Sequence, residues 1–295
     1  MTLVKGDGGI SAEIVADSIS SNSGVRITTF SLIYPRFIHS EFMTHRLFSR
    51  NSASSRAIPT ERLIDLVNEN PARPVSWGKN KKGMQAGEQL SNDQKINAKL
   101  VWDESRKDAV FRAIEMNGLE VHKQVVNRLL EPHQFIKVIC TATEYDNFFT
   151  LRLDKDAQPE IQELSWCMKY AIDKSKPTVL VADKWHVPYF QDGWWSPKVT
   201  DYSLSEALKI SASCCAQVSF MRSDDSLSKA EAIYNKLIES KPMHASPFEH
   251  QATPITIDHS DAFLFEQDVG VTHMDLYGKL WSGNFKEWIQ YRQTL

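Results

Sequence analysis

Residues 25–56 read VRITTFSLIYPRFIHSEFMTHRLFSRNSASSR, and the change of pattern within this stretch decides the fold class. Val25 to Leu32 is β-branched and alternating, which predicts a strand. Pro35 breaks it. Phe37 to Phe48 then has helical spacing, with Phe37, Ile38, Phe42 and Met43 on one side. Asn51 to Arg56 reads as a serine-rich turn. A strand that feeds a helix predicts a mixed α/β protein.

The pattern outward from this stretch agrees. Glu61 to Val67 reads as a short helix, Pro71 to Ser91 as a loop insertion, and Gln94 to Leu130 as one or two long helices. Helices are expected at Lys137–Phe149 and Ala157–Asp173, the second ended by Lys176-Pro177. Val179–Ala182 and Ile255–Ile257 are strand candidates, and Asp192–Lys198, with Trp194 and Trp195, reads as a loop. Ser203–Val218 opens with the capping box Ser203-x-x-Glu206, and Ser228-x-x-Glu231 is expected to cap the next helix, ending near Ser240. No repeat or linker divides the chain. The expectation is one mixed α/β domain over residues 1–295, a central sheet flanked by long helices, with 71–91 inserted as a loop.

Of the 295 residues, 42% are hydrophobic and 24% charged, which excludes collagen-like, low-complexity and wholly disordered classes. Lys+Arg total 34 against 37 Asp+Glu, so an anion site must be built locally rather than by global charge. The four cysteines, Cys140, Cys167, Cys214 and Cys215, include no Cys-x-x-Cys pair, so neither a zinc ribbon nor a disulfide framework is signalled. The N-terminal stretch carries Asp7 and Glu13 and is not expected to be a signal peptide, and no apolar run reaches transmembrane length. A reducing cytoplasmic setting is expected.

Three segments are candidates to carry chemistry. In THRLFSRNSASSR (44–56), Arg46, Arg50 and Arg56 stand among Ser49, Asn51, Ser52, Ser54 and Ser55, with no acid between Glu41 and Glu61. Guanidinium forks plus hydroxyl donors suit a phosphate. A solvated basic turn is the bland alternative; the apolar Phe37–Phe48 run places these arginines at the edge of the core and favours function. In HASPFEH (244–250), Ser246, Pro247 and Glu249 read as a capped helix start, and such an N-terminus also suits an anion or ring edge. His244, Glu249 and His250 lack the HExxH spacing, so no metal is assigned. RLDKDAQPEI (152–161) reads alone as surface charge pairing. Trp194, Trp195, Trp281, Phe285 and Trp288 could stack on a planar ligand but are read singly as core, and Cys214-Cys215 as inert packing.

Together these segments resemble the flavin-dependent thymidylate synthases. Thr44-His45-Arg46-x-x-Ser49-x-Asn51-x-x-Ser54-x-Arg56 matches the family's R-H-R-x-x-S-x-N-x-x-S-x-R except at its first arginine. HASPFEH matches H-x-[ST]-P-F-E-H. Ala216–Phe220 (AQVSF) is similar to A-R-V-S-F, with Gln217 in place of arginine. Asn147-Phe148-x-x-x-Arg152 followed by Ala157-Gln158-x-Glu160-Ile161 is similar to N-F-x-x-x-R…A-Q-x-E-I. Glu41 stands where glutamine is usual, and Thr44, Ser52 and Ala57 where arginine, glutamate and tyrosine are usual. The V-S-F and H-x-S-P-F-E-H blocks follow the arginine signature here and precede it in the family, so the motif order is permuted.

The resemblance implies FAD-dependent transfer of a one-carbon unit from methylenetetrahydrofolate to C5 of dUMP, giving dTMP, with NADPH as reductant. It assigns dUMP to Glu41, Ser52, Ser54, Arg56, Arg128 and Arg152, with Arg152 as the catalytic cation at the uracil carbonyls. It assigns FAD to His45, Arg46, Asn147, Ser219, His244, Ser246 and Glu249. It implies a homotetramer, small-molecule partners and no nucleic acid or membrane. No cysteine is expected to be the nucleophile, because none stands beside a cation in sequence. Two alternatives stay open: a hydroxymethyl product or a dCMP substrate on the same scaffold, and a non-catalytic nucleotide- or RNA-binding homologue using the Lys79–Lys82 loop.

Overall fold

The computed structural model describes residues 2–256 and 269–295; Ile257, the last residue of one expected strand, lies outside them. The strands are β1 (Thr2–Lys5), β2 (Ser11–Ser20), β3 (Arg26–Pro35), β4 (Ser49–Ser52), β5 (Phe135–Ala142), β6 (Thr178–Leu180), β7 (Trp185–His186), β8 (Trp194–Trp195), β9 (Ala252–Pro254), β10 (His273–Met274), β11 (Leu280–Ser282), β12 (Phe285–Lys286) and β13 (Trp288–Gln290). The α-helices are α1 (His39–Phe42), α2 (Thr60–Glu69), α3 (Asn92–Gly118), α4 (Lys123–Val126), α5 (Asp146–Arg152), α6 (Pro159–Lys174), α7 (Leu204–Gln217) and α8 (Leu227–Glu239). The fold is mixed α/β. No described helix is long and apolar enough to cross a membrane.

The main sheet runs β1-β2-β3-β5-β4 with antiparallel neighbours. β6 lies parallel to the end of β2, beyond β1 on the same edge. Period-two alternation sorts its side chains. Phe30, Leu32 and Tyr34 of β3, with Val138 and Cys140 of β5, enter the large core together with Phe42, Leu63, Phe148, Leu164 and Met168 from the helices. The opposite face carries Ile139, which packs on Cys215 and Val218 at the end of α7. A second sheet, β13-β9-β7-β8, lies on this side. Gly193, at φ +88°, lets the β7–β8 connection sit on β2: a Cβ there would stand 2.7 Å from Ala16 Cα.

Several local expectations change. Lys137–Phe149 is not a helix: Ile136, Val138, Ile139 and Thr141 are β-branched and extend in β5, and only Asp146–Arg152 is helical. The expected helix at Phe37–Phe48 shrinks to a 3-10 turn at Arg36–Ile38 plus α1, and Met43 is exposed. Asn51 and Ser52, expected in a turn, complete β4 against β5. Ser226, not Ser228, precedes α8, and it makes no side-chain cap. Ser203 and Glu206 do form both bonds of the α7 capping box. The β1–β2 hairpin carried no sequence expectation.

A fully buried polar chain joins the two sheets. Ser18 Oγ lies 2.9 Å from His186 Nδ1, and His186 Nε2 lies 2.8 Å from Thr29 Oγ1. Thr29 Oγ1 lies 2.7 Å from Thr141 Oγ1, which lies 2.9 Å from His250 Nδ1. Burial pushes both imidazoles from 6.5 down to about 3, and each lacks the compensating acid that would hold a proton. The unfolded chain takes up these protons near pH 6.5 and the folded chain only near pH 3. Stability contributed by their neutral forms is therefore complete above pH 6.5 and lost as pH falls. Below about pH 6 the unfolding free energy should drop by about 1.4 kcal/mol per pH unit for each of the two groups. Urea unfolding at stepped pH between 7.5 and 5 measures this slope; a flat profile contradicts it.

Candidate functional site

The site is assembled where the chain leaves α1 and enters β4. The helix ends at Phe42, and carbonyls of the turn that follows meet Arg50: Nη1 donates to Met43 O at 3.1 Å and to His45 O at 3.0 Å. Arg50 is thus committed to the backbone rather than offered to a phosphate. His45 is 8% exposed, its ring stacked on Phe48 and edge-on to Phe148. Burial, then the charges of Arg152 and Arg50, push its pKa down to about 4, so at neutral pH it is an acceptor or donor without charge.

Arg152, at the end of α5, reaches back to this turn. Its Nε donates to His45 Nε2 at 3.0 Å and its Nη2 to Thr44 Oγ1 at 3.2 Å. Thr44 Oγ1 in turn donates to Glu41 O at 2.7 Å. The second segment therefore docks on the first through 107 residues of sequence separation.

The third segment arrives from the other side of β4. Ser54 N donates to Ser219 O at 3.0 Å, and Asn51 Nδ2 to Cys215 O at 3.4 Å. Gln290 Nε2, from the C-terminal strand β13, bridges Ser49 Oγ at 3.1 Å and Glu249 O at 3.0 Å. Ser246–Glu249 is a 3-10 turn, preceded by Ala245 and without a side-chain cap, so the expected capping box is absent. Glu249 instead pairs with Arg292. Burial raises its carboxyl pKa against the opposing pull of Arg292 and Arg50. Burial of Pro247 and Phe248 explains the turn: the chain is anchored by apolar contacts, and Tyr234 and Tyr291 pack edge-on to Phe248.

The remaining candidates fall into two groups. Arg46, Arg56, Asn147, His244 and Ser246 are exposed, and the Arg46 and Arg56 side chains have no hydrogen bond or ion pair among the described residues. Glu41, Ser52, Ser54 and Ser219 are half-buried. Arg128 is tied to Glu131, at 2.6 Å from Oε1. The same Oε1 takes Arg36 Nη2 at 3.0 Å and Ser55 Oγ at 2.9 Å. Glu131 was missed from sequence because nothing in the run NRLLEP marks Arg36 and Ser55, its two partners from other parts of the chain. Gln290 and Arg292 were missed for the same reason. His244 is exposed while His250 is buried on Thr141, and among the described residues no three His, Cys, Asp or Glu side chains converge as metal ligands.

All four thiols are buried. Burial pushes Cys140, Cys167 and Cys214 up to about 12, and Cys215 well above its ordinary value. A thiol reagent at pH 8 should therefore titrate none of the four within minutes in the folded protein and all four in denaturant. Rapid labelling of one cysteine in the native state contradicts this.

Many solved structures are similar to the chain, two of them over 58% of it, and no curated protein matches. Both are of a UMP/dUMP methylase, PolB from Streptomyces cacaoi. Its 5-Br UMP complex is 16% identical, covering 58% of this chain and 92% of that chain at a TM-score of 0.45. Its 5-Br dUMP complex is 15% identical, covering 58% and 93% at a TM-score of 0.46. The model of the thymidylate synthase complementing protein family matches residues 25–178, from the start of β3 to the start of β6. That span is just over half of the chain and holds the arginine signature, Arg128 and Arg152, and so the chain belongs to the thymidylate synthase complementing protein family.

Proposed function

We infer that the protein transfers a one-carbon unit from methylenetetrahydrofolate to C5 of dUMP, using FAD and NADPH, as a homo-oligomer of the cytoplasm. The observation that carries this reading is Arg152, drawn onto the signature turn by His45 and Thr44. Uracil C5 becomes nucleophilic only when charge is accepted at the ring carbonyls, and a fixed guanidinium is suited to that. Nε and one Nη2 proton are spent, which leaves three N–H groups for a ligand. Family membership and the meeting of Ser54 with Ser219 and of Gln290 with both Ser49 and Glu249 also support it. These contacts bring the permuted blocks to one strand, which supports their reading as a single rearranged site.

The donor set fits FAD in its chemistry. Arg46 is exposed and has no side-chain partner among the described residues, as a pyrophosphate requires, and Asn147, His244 and Ser246 offer exposed polar atoms. His45 and Glu249 are engaged, with Arg152 and Arg292 respectively. When bound, FAD would supply the redox chemistry of the transfer. Arg56, exposed and without a side-chain partner among the described residues, with Ser52 and Ser54 nearby in the chain and Glu41 half-buried, suits the nucleotide; Arg128 would first have to share Glu131. The raised thiol pKa values support a route without a cysteine adduct.

The test is the visible spectrum of the purified protein followed by product mass from dUMP, UMP and dCMP. A flavin spectrum and a methyl-mass increase on dUMP are expected. A hydroxymethyl mass would select the alternative chemistry, and a protein that binds no added FAD refutes the reading. Arg152→Ala should mainly lower kcat, and Arg56→Ala should mainly raise KM for dUMP by an amount equivalent to about 2–3 kcal/mol. Unchanged turnover in Arg152→Ala overturns its assignment.

A further inference from the structure

The signature of this chain departs from its family pattern at Thr44, and that departure has a geometric role. Thr44 Oγ1 has one proton, and at 2.7 Å from Glu41 O it is donated to the last turn of α1. Toward Arg152 the hydroxyl can then only accept, and it does so from Nη2 at 3.2 Å. His45 accepts from Nε at 3.0 Å, and its ring is wedged between Phe48 and Phe148. The His45 carbonyl is itself held by Arg50. Two acceptors on adjacent residues thus hold the Nε–Nη2 edge of one planar group, which fixes both its position and its rotation.

We propose that Thr44 and His45 are positioning residues that act through Arg152, setting the plane of its guanidinium so that the Nη1 face is presented to a planar ring bearing carbonyl oxygens. An arginine at position 44 would put a second cation beside Arg152 and remove the acceptor. The ligand class rests on the reading above as a pyrimidine nucleotide enzyme; the grip itself does not.

Thr44→Val removes the acceptor and keeps the shape. It should lower kcat with dUMP about tenfold, with KM for dUMP, flavin content and Tm unchanged, and Thr44→Ser should recover most of the loss. A kcat for Thr44→Val within twofold of the parent, or a Thr44→Ser no better than Thr44→Val, overturns the proposal. A second measurement needs no turnover. In protein with 15N-labelled arginine, one Nε–H resonance, identified by its loss in Arg152→Lys, should exchange slowly with water and at least tenfold faster in Thr44→Val. A rapidly exchanging Arg152 Nε–H in the parent also overturns the proposal. Slow exchange in a protein that transfers no one-carbon unit would refute the enzymatic reading and leave the grip standing.

Discussion

The register of β5 at Thr141 is the constraint on which the other contacts depend. Thr141 stands opposite Thr29 of β3 on one side and opposite Ser49 of β4 on the other. Its hydroxyl bonds Thr29 across the first pairing and His250 of the HASPFEH segment out of the sheet. A slip by one residue would turn Cys140 and Ala142 toward α7 and the second sheet, and would push Thr141 into the large core. It would also part Ser49 from Gln290 and Asn51 from the end of α7. The polar chain is thus a register lock as well as a joint between sheets: the hydroxyls find partners only in one pairing, and unpaired they would be costly in so dry a place.

That lock explains how a site can be made of segments spread over most of the chain. The arginine signature lies on an edge strand, where its side chains reach both faces. One face receives Arg152 from α5; the other receives α7, the 3-10 turn of HASPFEH and the C-terminal strand β13. Order along the chain is immaterial to this assembly, because each segment is attached to β4 or β5 separately. A permuted order of motifs is therefore compatible with a common geometry.

Legibility in the sequence followed the physics of exposure. β3, α6 and α7 were readable because each has one strong pattern, the alternation of Val25–Leu32 or the capping box at Ser203 and Glu206. β5 was misread because it is buried on both faces, so FIKVICTA shows no alternation and its apolar run imitates a helix. The β1–β2 hairpin was overlooked since its turn, Asp7–Gly9, lies in a stretch with no strong strand signal beside it. In the candidate site, the motifs marked which segments to compare, and the signature's arginines were read as a group. Their division of labour was not: Arg50 holds carbonyls, Arg128 is tied to Glu131, and Arg46 and Arg56 stay open. Such assignments depend on partners like Glu131, Gln290 and Arg292, whose proximity is a property of the fold alone.

The chain from His186 to His250 has a consequence for where its protons sit. Three bonds link His186 Nε2, Thr29, Thr141 and His250 Nδ1, and each needs one hydrogen. The two hydroxyls supply two, so one imidazole supplies the third. If His186 gives it from Nε2, His250 must have a bare Nδ1 and carry its own hydrogen on Nε2; if His250 gives it from Nδ1, His186 must be bare at Nε2 and carry its hydrogen on Nδ1. The two rings therefore hold the same tautomer at all times, and a change in one requires both hydroxyls to turn and the other ring to follow. His250 Nε2 has no hydrogen-bond partner among the described residues, so the first arrangement buries a lone N–H and the second a lone pair. The balance between those two costs sets the direction in which every dipole of the chain points.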